Sequence, residues 1–182
     1  FRIMLHFLAS ILFSLLLFQT PGAPKPKASE RIDLTVTAAP WTLTIPREGL
    51  TLESQQTKDD GRYGYFVLQD EKHKMTISLY IEPVDQCKTS KECRDMVWKQ
   101  GNASWEDPQK VVQGELGDVS FFEFFMPTFR GLPVQQQNMY AEFVVDEFWV
   151  DLHVSKVLYK PEEHKLFENL IKSIKFESKP KG

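Results

Sequence analysis

At 182 residues, with 42% apolar, 26% charged and 13% aromatic side chains and a formal charge of −3, the chain has the composition of one globular domain. It is neither disordered, collagen-like nor a cysteine-dense scaffold. The mildly acidic balance lacks the basic face that nucleic acids require, which sets them aside as partners.

The chain opens on Phe1 rather than Met and is expected to lack its true start. Arg2 precedes an apolar run over residues 4–19, and the small residues Thr20, Gly22 and Ala23 surround its end. A basic start, a short apolar stretch and then small residues predict a secretory signal peptide over residues 1–22. The run is about 15 residues, short of the roughly 20 that cross hydrocarbon as a helix, so an uncleaved anchor is the second choice and the only membrane attachment expected. Thr20 and Gly22 suit the positions just before a cut after Gly22, whereas a cut after Ala23 places the unfavourable Pro24 next. Loss of residues 1–22 removes Arg2 and no acid, moving the charge from −3 to −4. Residues 23–33, with Pro24, Lys25, Pro26 and Lys27 and no apolar period, read as a flexible linker. The expected product is exported to the periplasm or extracellular space, with one domain over 34–178 and a tail at 179–182.

Export gives Cys87 and Cys93 a meaning, because an oxidising compartment turns a nearby thiol pair into a disulfide. Thr89 with Glu92 three residues later is a capping box opening a helix that carries Cys93, Met96 and Val97. The bridge ties the incoming strand to that helix. A redox or metal role needs a two-residue spacing or a neighbouring His, and the nearest His is His73. No metal or cofactor is expected.

Strands are expected at 41–45 and from Leu50 to the Lys58-Asp59-Asp60-Gly61 turn, then at 63–68 and 75–81 around residues 70–73. The cysteine-bearing helix over 89–100 follows. A polar loop leads to strands at 111–116 and 119–126 joined by Gly117-Asp118, and the connection 127–137 is expected to have no structure of its own. Strands at 140–145 and 148–157 share the Asp146-Glu147 turn. Pro161-Glu162-Glu163 then opens a helix in which Leu166, Phe167, Leu170, Ile171 and Ile174 recur at helical spacing. Phe121, Phe122, Phe124 and Phe125 put aromatics on both faces of one strand, so both faces of the sheet are covered. The fold class is α+β, an antiparallel sheet of about six to seven strands sandwiched between helices.

The hairpin through Asp146-Glu147, the Trp149-Val150-Asp151-Leu152-His153-Val154-Ser155 strand and the closing Phe167-Glu168-Asn169-Leu170-Ile171-Lys172-Ser173-Ile174-Lys175-Phe176 run resemble the PsbP-like superfamily. Its members include the photosystem II extrinsic subunit, a Ran-binding nuclear transport factor and periplasmic DcrB-type proteins. The resemblance spans roughly residues 36–177 in element order and implies the α/β/α sandwich rather than an activity. The photosynthetic member works through a flexible basic N-terminal region. Here only Lys25 and Lys27 stand in that place, so photosystem binding is not implied.

Asp151, His153 and Ser155 are the residue types of an acyl-transfer triad, and period two sets all three on one strand face. A working serine, however, sits on a sharp turn beside oxyanion donors, and no Gly-x-Ser-x-Gly occurs. A hydrogen-bonded polar ladder beside Trp149 is the expected reading, and no catalytic residue is assigned. Glu123 between Phe121 and Phe125 is a candidate for a carboxyl raised by desolvation. Glu115, Asp118 and Glu142 are its conceivable mates, but a single carboxylate at a sheet edge or bonded to a backbone donor is expected. His73 and His164 read as solvated. Asn102-Ala103-Ser104 fits a glycosylation acceptor, relevant only in a eukaryotic secretory pathway. Binding surfaces are sought at Phe129, Arg130 and Leu132 in the 127–137 connection and at Trp105, which is either an anchor or a core plug; Trp98 reads as a plug. The expected function is an exported, non-enzymatic binding or accessory factor of the cell envelope that takes a protein or small ligand. The alternatives are a small secreted hydrolase using Ser155, His153 and Asp151, and a hydrophobic-ligand carrier between sheet and helix.

Overall fold

The computed structural model describes residues 30–101 and 105–180. The signal peptide, its cleavage site, residues 23–29 of the linker and the Asn102-Ala103-Ser104 acceptor lie outside the described residues.

Seven strands form the main antiparallel sheet: β3 (Leu50–Thr57), β4 (Gly64–Asp70), β5 (Met75–Pro83), β6 (Gln109–Leu116), β7 (Val119–Phe129), β8 (Leu132–Val145) and β9 (Phe148–Lys156), in the order β3-β4-β5-β9-β8-β7-β6. Strict alternation builds its inner face. Ile77, Leu79 and Ile81 of β5 bury against Val150, Leu152 and Val154 of β9, which in turn oppose Phe143, Ala141 and Met139 of β8. Each such fully buried aliphatic contributes roughly 1.5–3 kcal/mol, and truncation to Ala costs about 2–5 kcal/mol.

This face is covered by α2 (His164–Ser173), entered through a short 3-10 turn (Pro161–Glu163), and by a second, three-stranded sheet of β1 (Arg31–Leu34), β2 (Trp41–Pro46) and β10 (Lys175–Ser178) in the order β1-β2-β10. Phe167 and Ile171, four residues apart on one face of α2, join Leu34, Leu43 and Ile45 in the main core. One cover is therefore a helix plus a small sheet rather than helices alone. Arg31, Ile32 and Asp33, read as the end of the linker, are paired in β1, with Ile32 and Leu34 buried. A strand of four residues is too short to stand out beside a Pro- and Lys-rich stretch. At the other end, Lys179 is not a loose tail: its backbone N–H donates to the Pro40 carbonyl and its ammonium donates to the Val36 and Ala39 carbonyls.

The opposite face is capped over β7 and β8 by α1 (Ser90–Gly101), whose Val97 and Trp98 pack on Phe122, Phe124 and Met126. Thr89 Oγ1 accepts from the Glu92 N–H at 3.2 Å, while the Glu92 carboxylate accepts from Lys88 N–H at 2.8 Å. The helix start is thus closed from both directions. Cys87 and Cys93, both buried, form the expected disulfide across this turn.

The connection expected over 127–137 is instead the two arms of a long β7–β8 hairpin. Pro127 and Pro133 argue against strand because neither donates to a ladder. A register shift between Met126 and Thr128 accommodates Pro127, and the arms then close at Phe129 opposite Leu132. Arg130 and Gly131 form the turn with φ of 51° and 74°, the left-handed pair that matches strand twist.

Candidate functional site

On the α1 face, the rows Tyr80–Asp151–Glu142 and Ser78–His153–Tyr140 run across β5, β9 and β8. Asp151, His153 and Ser155 do share this face, but they do not engage one another. The His153 ring nitrogen Nε2 pairs with Asn138 Oδ1 at 3.1 Å, and the ring lies flat on Tyr140 at a centroid distance of 4.2 Å. Burial holds the imidazole down to about 4, so it is a neutral, stacked ring. Asp151 faces Glu142 rather than His153, and burial pushes its carboxyl up to about 7. Glu142 is fully buried, its carboxyl held well above the ordinary range first by burial and then by Asp151. Trp149 Nε1 donates to Glu142 Oε2 at 2.6 Å. Ser155 stands between Thr76 and Asn138 within β9, away from a helix N-terminus or glycine turn. In this ladder His153 bonds across to Asn138 of β8 and Asp151 stands opposite Glu142 of β8.

Glu123 lies on the other face, in β7, where it is 8% exposed. It is neither at a sheet edge nor bonded to backbone. Its Oε2 accepts from Gln137 Nε2 at 3.1 Å and lies 3.5 Å from His164 Nδ1, while burial raises its carboxyl above the ordinary value. His164, read as solvated, is thereby tied to β7. His73 is tied too, its Nδ1 lying 2.6 Å from Asp70 Oδ2. Glu123 and His164 share a cleft of roughly 460 Å³ with Lys110, Phe125, Tyr159 and Pro161. Here a titratable pair meets an apolar wall, as Asp70 and His73 do in a smaller cleft lined by Leu50, Met75, Leu166 and Leu170. None of Glu115, Asp118 and Glu142 lines it; the acid whose charge reaches Glu123 is Glu168 of α2, which lies 3.7 Å from the Nε2 of the same His164.

At the hairpin tip Phe129 is 46% and Leu132 68% exposed. The Arg130 guanidinium stacks over the Phe129 ring at 5.2 Å, and the Arg130 N–H donates to Glu106, which pins the tip to the loop before β6. Trp105 behaves differently. Its ring packs on Phe124 at 4.7 Å, Trp98 at 5.3 Å and Phe122 at 5.4 Å, and a side chain at Gly101 would strike it. Of the four residues expected to meet a partner, three share the exposed tip, while Trp105 is partly buried against the aromatic cluster.

A seven-stranded antiparallel sheet with a helix on each face and a small sheet gathering the chain ends is an architecture with precedent. The solution structure of cyanobacterial PsbP (CyanoP) from Synechocystis sp. PCC 6803 matches it with a TM-score of 0.52 over 84% of this chain and 96% of that one, at 12% identity. The fold is PsbP-like. No protein-family profile and no curated protein matches the sequence. At 12% identity the likeness concerns the fold alone, and the PsbP-like domain's function has to be argued from its own surface.

Proposed function

We propose that this PsbP-like domain is an exported, non-enzymatic accessory factor of the cell envelope that engages a protein partner through the tip of its β7–β8 hairpin. The observation carrying the reading is the exposure of Phe129 and Leu132, 46% and 68%, on a turn hydrogen-bonded to Glu106. An aromatic, an aliphatic and a cation on a pre-ordered turn lose little entropy on docking. The apolar leader before residue 23 and the Cys87–Cys93 bridge support an oxidising compartment. The commitment of His153 to Asn138 and of Asp151 to its place beside Glu142 supports a role without catalysis.

The test is a photo-crosslinking residue placed at Leu132 in cells, with Glu71 in the exposed β4–β5 turn as the control position. A discrete adduct from Leu132 that disappears with Phe129→Ser is the expected result. Equal labelling from both positions, or hydrolase turnover by the purified protein that is lost with Ser155→Ala, overturns the reading. The Glu123 cleft favours a second reading, binding of a small ligand between sheet and α2. Ligand-dependent shifts of the Glu123 and His164 resonances distinguish it from docking at the tip.

A further inference from the structure

The β3–β4 turn and the end of β5 enclose a second pocket, of roughly 420 Å³, remote in sequence from both the cleft and the hairpin tip. Tyr63, Tyr65 and Tyr80 line it together with Glu82, Lys58 and Gly64. Tyr65 and Tyr80 are stacked at 4.4 Å, and Tyr80 is 49% exposed. Three phenol rings and one carboxylate converge here.

Two features say what such a pocket takes. Ring faces carry negative quadrupole density, and with a carboxylate beside them they attract a diffuse positive charge. Lys58, the one cation lining the pocket, already holds its ammonium 3.8 Å from the Tyr63 ring centroid. Its backbone N–H also donates to the Tyr63 carbonyl at 3.2 Å, closing the turn, so the main chain keeps the pocket's shape wherever the side chain points. The ammonium rides on a flexible stem and is a tethered occupant that a ligand can replace. Glu82, the one carboxylate in the lining, lies within electrostatic reach of both Lys58 and Tyr80, so a second cation seated here meets the same negative charge. A hard metal ion fits poorly, since it calls for several oxygen ligands and the lining supplies one carboxylate. We infer that the Tyr63–Tyr65–Tyr80–Glu82 pocket is a binding site for an organic ammonium ion of the quaternary, choline-like class, which displaces the Lys58 ammonium from the Tyr63 ring.

The full chain is titrated with choline chloride against sodium chloride at equal ionic strength, following the tyrosine ring resonances. Its uncharged carbon isostere, dimethylbutanol, is the paired probe. Saturable shifts at Tyr63, Tyr65 and Tyr80 are expected with choline, with the isostere about tenfold weaker. Tyr80→Ala and Glu82→Gln, both at accessible positions, each weaken choline binding about tenfold, and Lys58→Met strengthens it several-fold. Binding of the isostere as tight as that of choline overturns the inference. So does a Lys58→Met variant that binds no better, or the absence of a saturable shift. A parallel arm with phosphatidylcholine and phosphatidylglycerol vesicles separates the sources. Sedimentation with phosphatidylcholine alone, lost in Tyr80→Ala, assigns a lipid headgroup, and choline binding without sedimentation assigns a free ligand.

Discussion

Glu142 of β8 and Asp151 of β9 stand directly opposite each other in the ladder, and each has a buried oxygen, Oε1 and Oδ1, without a hydrogen-bond partner. Opposed side chains of a ladder lie about 5 Å apart at Cβ, and two buried carboxylates that close cannot both ionise cheaply. Burial favours the protonated form of each, so the folded pair retains a proton that the unfolded chain gives up.

That arrangement has a pH signature. Both carboxyls are raised by burial, Asp151 to about 7 from 3.8, so the folded state keeps protons that the unfolded chain has released. Stability therefore falls as pH rises from about 4 to about 7, and further as Glu142 is forced to ionise. Asp151→Asn is expected to stabilise the domain at pH 8 by on the order of 1–3 kcal/mol, and by less at pH 5. Urea unfolding at the two pH values checks this; an equal gain at both, or a loss at pH 8, rules out a proton retained by the folded pair.

His153 works in the opposite direction. Burial lowers its pKa to about 4 from 6.5, so the native ring is neutral where the unfolded one is charged. Stability is lost as pH falls from about 6.5 to about 4. A proton NMR titration should find the His153 midpoint near 4, with the Tyr140-stacked ring neutral at pH 5.5. A midpoint near 6.5 would show that the ring is solvated.

Trp105 packs within an aromatic cluster, whereas Leu132 stands exposed at the hairpin tip. Trp105→Ala opens a hole among Trp98, Phe122, Phe124 and Tyr140 and should cost roughly 2–4 kcal/mol. Leu132→Ser, at an exposed tip, should change stability by less than about 0.5 kcal/mol. Chemical denaturation of the two variants is the check, and a Trp105→Ala protein as stable as the parent would return Trp105 to the surface.

Reduction of Cys87–Cys93 releases a ring closed over a sequence separation of 6. A loop that small constrains the unfolded chain by about 2 kcal/mol. Cys87→Ser/Cys93→Ser should lower the melting temperature by several degrees, with the loss concentrated in α1 and its Glu92 cap, read by amide exchange. Uniform loss of protection across the seven-stranded sheet would instead give the bridge a global role.

The elements with clean periodicity were legible in the sequence. Alternation on β5 and β9 and helical spacing at Phe167 and Ile171 mark buried faces, and both reappear in the core. The Thr89 and Glu92 pattern likewise located the start of α1. Three strand segments escaped because local chemistry disguised them. β1 is four residues long beside a Pro- and Lys-rich stretch, and the ends of β7 and β8 hold Pro127 and Pro133. The Glu142–Asp151 pairing was within reach, since a two-residue turn at Asp146-Glu147 sets 145 against 148 and hence 142 against 151. The Glu123–His164 contact was not. It joins β7 to the start of α2, and no local pattern specifies how a helix sits on a sheet.

The small sheet determines how the domain answers a pull on its two ends. β1 and β10 both run antiparallel to β2 and flank it, with Arg31 beside Pro46 and Ser178 beside Trp41. Tension applied at residues 31 and 178 draws β1 and β10 in opposite directions along β2. The bonds on both flanks are then loaded together in shear rather than unzipped in turn, and Lys179, clamped to the carbonyls of residues 36 and 39, shares the load. The main sheet, with its hairpin tip, cleft and tyrosine pocket, lies outside the force path, so a domain held at one end and tugged at the other keeps its surfaces in shape until β2 gives way.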